Sequence, residues 1–299
     1  MATHFGAAFI DAQLGSIAEQ SHKDWSLWVS DDGSSDATRS RIDAFARAHP
    51  EHEVQLFDGP QMGAAANFLS LLARLKPGER HFVALADQDD VWFPDKLGRA
   101  LRALEPLDDA PAVYASAQTY TDAALSNPRP SRAYPRGPSF SNALLQNILS
   151  GSSIVLTPNA VDLLASVLPD QAPKFLDWWI YQVMTGCEAH VIYDPEPSLF
   201  YRQHSGNILG EGHGLRARAR RVLLLYGSGY RAWLDAQLPA LERAKGQFSA
   251  ENQRVFERFL AARQGFAPKR PVALWRTGVH RQSPLETALL LSASAFGRL

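Results

Sequence analysis

This sequence has little cysteine, little methionine, no long apolar run and no excess of charge of either sign. Cys187 is the only cysteine in 299 residues. No intrachain disulfide is therefore available, and a reducing compartment, the cytoplasm, is expected. No stretch approaches the ~18 consecutive apolar residues that a bilayer-spanning helix needs, and the run at 288–291 is far too short. The N-terminus carries no basic segment followed by an apolar one, so no secretory signal is read there. With 30 Lys and Arg against 31 Asp and Glu, the net charge is -1. That balance excludes whole-chain attraction to nucleic acid or anionic lipid and leaves recognition to local features. At 45% hydrophobic residues, the chain can bury a substantial core in one or two domains.

Two acidic clusters stand out, each behind a short apolar run. Trp25-Ser26-Leu27-Trp28-Val29-Ser30 leads into Asp31-Asp32-Gly33-Ser34-Ser35-Asp36, and His81-Phe82-Val83-Ala84-Leu85-Ala86 leads into Asp87-Gln88-Asp89-Asp90. Each run reads as a buried strand followed by a helix. In open α/β sheets ligands bind beyond the carboxyl ends of the strands, where these carboxylates would gather. So much negative charge at one sheet edge is costly unless a cation is present, which points to a divalent metal holding a phosphorylated ligand.

Helical periodicity is expected at 7–20, with Phe9, Ile10, Leu14 and Ile17 inward and Gln13, Glu19 and Gln20 on the wet face. Further helices are expected to residue 48 (Ile42, Phe45 and Ala46 inward), at 64–75 (Phe68, Leu71, Leu72, Leu75) and from Pro94 (Leu97, Leu101, Leu104). Strands are expected at 25–30, 53–57, 81–86 and 112–117. This alternation implies a largely parallel sheet with helices on its faces. The proline-rich stretch 125–139 reads as a long loop over the site. Beyond about 214 the chain turns helical and Arg-rich. Only four residues precede the turn at Gly6, so the opening strand reads as truncated, or the natural start lies upstream.

Each constellation has a plain structural alternative. Asp87 and Asp89 flank one residue and, on extended chain, face the same way, where they can share a cation with diphosphate oxygens; the same segment could simply cap the next helix. Asp31-Asp32-Gly33-Ser34 can hydrogen-bond a base or ribose, or form a turn. Asp177, beside Trp178 and Trp179, would be a better general base if desolvated, and an indole suits the apolar face of a sugar, but paired tryptophans commonly fill a core. Arg202 suits a diphosphate and His204 can complete a metal shell or be structural. Arg216, Arg218, Arg220 and Arg221, ahead of the 222–226 apolar run, could rest on an anionic membrane surface or be a solvated helix face.

In this order the motifs resemble the inverting family 2 glycosyltransferases of GT-A fold, most closely a rhamnosyltransferase-like branch, over about residues 2–210. The likeness rests on the Ala2-Thr3-His4-Phe5-Gly6 turn, the 28–36 cluster, Leu85-Ala86-Asp87-Gln88-Asp89-Asp90-Val91-Trp92 with Pro94-Asp95-Lys96-Leu97, Gly151-Ser152-Ser153, Asp177-Trp178-Trp179 and Tyr201-Arg202-Gln203-His204. The resemblance implies a Rossmann-like, mostly parallel mixed sheet flanked by helices over 1–212, with a nucleotide-binding half to about 117 and an acceptor half at 118–212. A C-terminal helical extension would occupy 213–299. It implies a nucleotide-diphospho-sugar donor held by Thr3, His4, Asp32 near the base, Asp87 near the ribose, Gly151, Ser152, Trp178 and Arg202. Mg²⁺ or Mn²⁺ would sit at Asp89 with His204, and Asp177 would deprotonate the acceptor, whether glycan, lipid-linked or protein. His4-Phe5 stand where the family has Tyr-Asn, and Leu176 where it has His. Two other readings compete. A haloacid-dehalogenase-like phosphatase could use Asp87-x-Asp89, although it needs its nucleophile first in the chain and the order here is reversed. An inactive nucleotide-sugar-binding protein would follow from loss of the opening strand.

Overall fold

The structure is a computed structural model that describes residues 1–76, 78–204, 227 and 229–299. Strand β1 (Ala2–Thr3) pairs parallel to β2 (Leu27–Asp31), which pairs parallel to β3 (Val54–Asp58). The opening strand is thus short but present, with Ala2 opposite Ser30 and Thr3 opposite Asp31. A second group runs β10 (His190–Asp194), β6 (Ala112–Ser116), β9 (Val155–Leu156) and β4 (Val83–Ala84). The Ala2 amide donates to the Ala86 carbonyl at 3.3 Å, linking β1 to the chain just beyond β4. The third group, β5 (Val91–Trp92), β11 (Leu199–Arg202), β7 (Thr119–Thr121) and β8 (Arg129–Pro130), forms a separate four-stranded sheet. Both five-residue pairings, β2–β3 and β6–β10, are parallel, whereas the antiparallel pairings span two residues each. The apolar run 81–86 yields only two strand residues because its far end turns from β9 toward β1.

Helices α1 (Ile10–Ala18), α2 (Thr38–Ala48), α3 (Ala64–Leu72) and α4 (Lys96–Leu104) lie where periodicity predicts. Ile10, Leu14 and Ile17 of α1 are buried with Leu27, Val29 and Ile42. Gln13 and Gln20, expected on the wet face, are buried instead. Gln20 Nε2 donates to the Phe93 carbonyl at 2.8 Å and its Oε1 accepts from the Leu97 amide at 3.0 Å, so a side-chain amide ties the chain after α1 to the first turn of α4. Lys96 is likewise fully buried on the inward side of α4.

The larger core surrounds α7 (Leu176–Gly186), in which every residue from Trp178 onward is buried. The C-terminal helices α8 (Gly229–Ala244), α9 (Ala250–Gln264), α10 (Arg270–Arg276) and α11 (Pro284–Ser294) contribute Leu234, Phe256, Leu274 and Leu290 to that same core. The 125–139 stretch is not wholly loop. It carries β8, and its later part is tied to the C-terminal region, where Arg132 reaches Glu286 at 2.8 Å and the Arg136 amide donates to Gln282 at 2.8 Å. The basic segment Arg216–Tyr226 lies outside the described residues, as does the proposed boundary at 212. No helix among the described residues is long and apolar enough to cross a membrane.

Candidate active site

The ends of β1, β2 and β4 meet at one edge because Ala2 pairs with Ala86 and, two residues on, His4 meets Gln88. The Gln88 side chain bridges the His4 backbone, its Oε1 accepting from the amide at 2.8 Å and its Nε2 donating to the carbonyl at 2.9 Å. Gly6 leaves room for this clamp, since a Cβ there would lie 2.2 Å from Gln88 Oε1 and the Gln88 side chain would have to move. The same turn donates three amides to the β2 side: Phe5 to Ser34 Oγ, Gly6 to Thr38 Oγ1, and Ala7 to Asp36 Oδ2. His4 Nδ1 contacts the Asp32 carbonyl at 3.1 Å. Residues 2–7, 31–38 and 85–90 therefore form one hydrogen-bonded rim.

Within that rim the acidic residues divide. Asp31 is buried and accepts from the Ser34 amide and hydroxyl and from Thr3 Oγ1; burial opposes its charge, but these bonds and Arg39 hold it below the usual carboxylate range. Thr3 is thereby committed to Asp31, with 2% of its surface exposed. Asp32 accepts from the Gln61 and Gly63 amides at 2.6 and 2.8 Å, so it organises the loop ahead of α3.

The second cluster is electrostatically strained. Residues 88 and 89 form a bend, so Asp87 and Asp89 do not occupy alternate positions of an extended strand as expected. They remain close enough to repel. Burial, then Asp89, then Asp177 push the Asp87 carboxyl up to about 7. Asp90 is fully buried and raised well above its ordinary value, chiefly by burial and then by Asp87 and Asp89. Lys96 is the countercharge beneath, with its amine lowered to about 7 by burial against the pull of Asp90. Neither Lys96 Nζ nor Asp90 Oδ2 has a hydrogen-bond partner among the described residues.

β11 brings the basic side. Arg202 donates from Nε to the Asp89 carbonyl at 2.9 Å, and its guanidinium lies 4.9 Å from the centre of the Phe9 ring. His204 stacks on the same ring at 4.7 Å and places Nε2 2.6 Å from Asp89 Oδ2. Asp177, close enough to act on Asp87, stands in the first turn of α7, its Oδ2 accepting from the Gly151 amide at 3.3 Å and its Oδ1 from the Trp178 amide at 2.7 Å. Burial raises its carboxyl to about 6, while these bonds and one from Asn147 restrain the shift.

Two expected donor contacts face inward. Trp178 is 4% exposed and its indole N–H donates to the Ala143 carbonyl at 2.6 Å, so it presents no free face to a sugar. Ser152 is 1% exposed, and its buried hydroxyl has no hydrogen-bond partner among the described residues. Sequence reasoning missed Gln88, Phe9, Asn147 and Lys96. Gln88 stood inside a flagged motif but was read as a spacer.

The residues present fit a divalent cation. Asp89 and His204 offer a carboxylate and an imidazole on touching atoms, beside carboxyls whose proton affinity is raised first by burial and then by one another's charge. Among the described residues no group of three or more His, Cys, Asp or Glu side chains could hold a metal, so a ligand would have to supply the remaining oxygens.

The model of the family described as "Glycosyl transferase family 2" matches residues 1–158. The dTDP-rhamnosyl transferase RfbG of Shigella flexneri is 26% identical over 251 residues, covering 77% of this chain and 81% of that protein. Among solved structures, TarS 1-349 of S. aureus in complex with UDP-GlcNAc superposes with a TM-score of 0.56 at 11% identity, over 97% of this chain and 88% of that one. The mannosyltransferase PcManGT of Pyrobaculum calidifontis, in complex with GDP-Man and Mn2+, gives 0.53 at 18% identity, over 99% and 84%. The fold is GT-A.

Proposed function

This chain belongs to glycosyl transferase family 2, and from that premise we propose that it is a metal-dependent, inverting enzyme acting at the rim formed by Asp87, Asp89, Asp177, Arg202 and His204. As a glycosyltransferase it moves a sugar from a nucleotide sugar, and the haloacid-dehalogenase-like alternative falls. The inactive-binder reading required a missing opening strand, whereas the β1 ladder is there.

The observation that carries the proposal is that Asp89, paired with His204, and Asp177 both act on the buried Asp87 carboxyl, which gathers the three carboxylates in one site. The acceptor oxygen attacks the anomeric carbon, the bond from that carbon to the diphosphate oxygen breaks, and the acceptor proton passes to Asp177. A carboxyl raised to about 6 still ionises near neutrality and binds a proton better than an ordinary aspartate does. Asp89 and His204 would hold Mg²⁺ or Mn²⁺, which when bound would stabilise charge on the leaving diphosphate. Arg202 adds fixed positive charge on the same side. His4, held by Gln88, would position the donor beside Asp87, while the Gly151 amide holds Asp177 in place. Thr3 and Asp32 act one step back, by shaping the turn.

A rhamnose donor is supported by the name of the Shigella relative, and a glycan, a lipid-linked precursor or a protein hydroxyl would serve as acceptor in glycoconjugate synthesis. The single cysteine and a nucleotide-sugar donor support the cytoplasm, with work at the inner face of the membrane if the acceptor is lipid-linked. The test is transfer from a panel of nucleotide-diphospho-sugars, with and without Mn²⁺. Product of inverted anomeric configuration is expected; retained configuration, or turnover unaffected by chelation, contradicts the proposal.

A further inference from the structure

The last two helices and the turn after them carry large apolar side chains that remain in water. Trp275 is 69% exposed, Phe296 71%, Leu285 69% and Val272 52%, and Phe266, just before α10, is 71% exposed. Three of these residues, Val272, Trp275 and Phe296, line a groove of about 480 Å³ between α10 and α11, whose walls also include Pro271 and Leu291. Exposed apolar residues gathered on one face mark a contact surface rather than ordinary surface scatter.

Its charge says what it contacts. From residue 258 to the end the sequence holds seven Lys and Arg but one acid, Glu286. Arg263 pairs with Asp235, and Arg281 with Glu286. The exposed Arg258, Lys269, Arg276 and Arg298 have no ion pair among the described residues. Arg258, Lys269 and Arg276 line the cleft on the other side of α10 from the apolar groove. A ridge of indole, phenyl and aliphatic groups flanked by unpaired cations matches the boundary between acyl chains and anionic headgroups. A second copy is a poor occupant, because a two-fold contact through this face would set cations against cations.

We propose that the α10–α11 face docks on an anionic phospholipid surface. The contact lies in the interface, since no helix among the described residues can span a bilayer. The face is braced against the rest of the molecule. Glu286 is held between Arg132 at 2.8 Å and Arg281 at 3.1 Å, and the Gln282 amide donates to Gln146 Oε1 at 2.8 Å. Asn142 donates to the His280 carbonyl and accepts from Tyr181 of α7, the helix that opens with Asp177. Docking would therefore fix Asp177 relative to the lipid plane. That consequence for the acceptor rests on the glycosyltransferase reading; the docking itself does not.

Co-sedimentation of the full chain with phosphatidylglycerol–phosphatidylcholine vesicles, against pure phosphatidylcholine, tests it. Binding is expected to require the anionic lipid and to weaken with salt. It should fall at least tenfold in a Trp275→Ser/Phe296→Ser variant and in a Lys269→Glu/Arg276→Glu variant, with circular dichroism and nucleotide-sugar binding unchanged. Equal sedimentation with both vesicle types, or either variant binding like the parent, overturns the proposal. So does a dimer that the Trp275→Ser/Phe296→Ser change dissociates in a chain that ignores vesicles. Because no turnover is measured, failure here leaves the transferase reading intact, and loss of donor binding would leave this result intact.

Discussion

His204 Nε2 lies 2.6 Å from Asp89 Oδ2, joining β11 to the bend after β4 across 115 residues of sequence. An imidazole stacked on Phe9 and a carboxylate whose own backbone carbonyl is held by Arg202 form a pre-arranged pair of donors. Replacing Asp89 or His204 by Ala should each weaken Mn²⁺-dependent donor binding at least tenfold, about 1.4 kcal/mol. The double variant should lose less than the sum, because both act on one ion. Isothermal titration with metal present checks this.

Asp177 is expected to matter for turnover and little for donor affinity. Asp177→Asn keeps the side chain's size and can retain one of the two amide hydrogen bonds, which reach different oxygens of Asp177, but it cannot accept a proton. Transfer should fall by on the order of 10²- to 10⁴-fold while the donor dissociation constant stays within about twofold of the parent value.

The pH profile carries the same signature. A base must be ionised, so the rate should decline as pH falls through the Asp177 carboxyl, near 6. Below that value, turnover at saturating donor should drop about tenfold per pH unit. A flat rate from pH 5 to 8 in the parent enzyme removes Asp177 from the role.

Stability should move the opposite way in metal-free protein. Asp87 and Asp177 have folded-state values raised to about 7 and about 6, so the native state favours their protonated forms. Their contribution is complete below the unfolded carboxylate value and is lost as pH rises through 6 and 7. Urea unfolding with chelator should show a loss on the order of 1 kcal/mol between pH 5 and 8, after allowing for solvent screening. Asp87→Asn should flatten that slope, and saturating Mn²⁺ should restore stability at pH 8.

Gly6→Ala tests the rim itself. The added methyl would displace Gln88 Oε1, 2.2 Å away, and break both bonds to the His4 backbone. A loss of ~1–3 kcal/mol is expected, with weakened donor binding. Gln88→Ala should cost less, because it removes the clamp without a clash. Thermal unfolding of the two variants side by side measures the difference.

Much of this was legible from spacing. The inward faces of α1 and α3 follow from Ile10, Leu14 and Ile17 and from Phe68, Leu71 and Leu72, because each sits on one side of a 3.6-residue helix. The gathering of acidic residues at a sheet edge followed from two apolar runs ending in aspartates. Gln20 was misjudged because its partner, the Phe93 carbonyl, is 73 residues away, and amphipathic patterns assign polar residues to water by default. The amide partners of Asp32 were illegible for a related reason: a carboxylate that accepts from the Gln61 and Gly63 amides looks the same in sequence as one without partners. Trp178 beside Asp177 suited a sugar platform, yet α7 is buried nearly all round and the indole points inward. The role of Lys96 could not be read locally at all, since only the folded sheet sets its amine against Asp90.

Titration of the full chain with dTDP-rhamnose and other nucleotide-diphospho-sugars, with and without Mn²⁺, in the parent and Asp89→Ala proteins, addresses the central claim most directly. The account predicts saturable binding of one sugar nucleotide that requires the ion and disappears with Asp89→Ala. Undiminished affinity in Asp89→Ala with Mn²⁺ present, or binding indifferent to the ion in the parent, would contradict it.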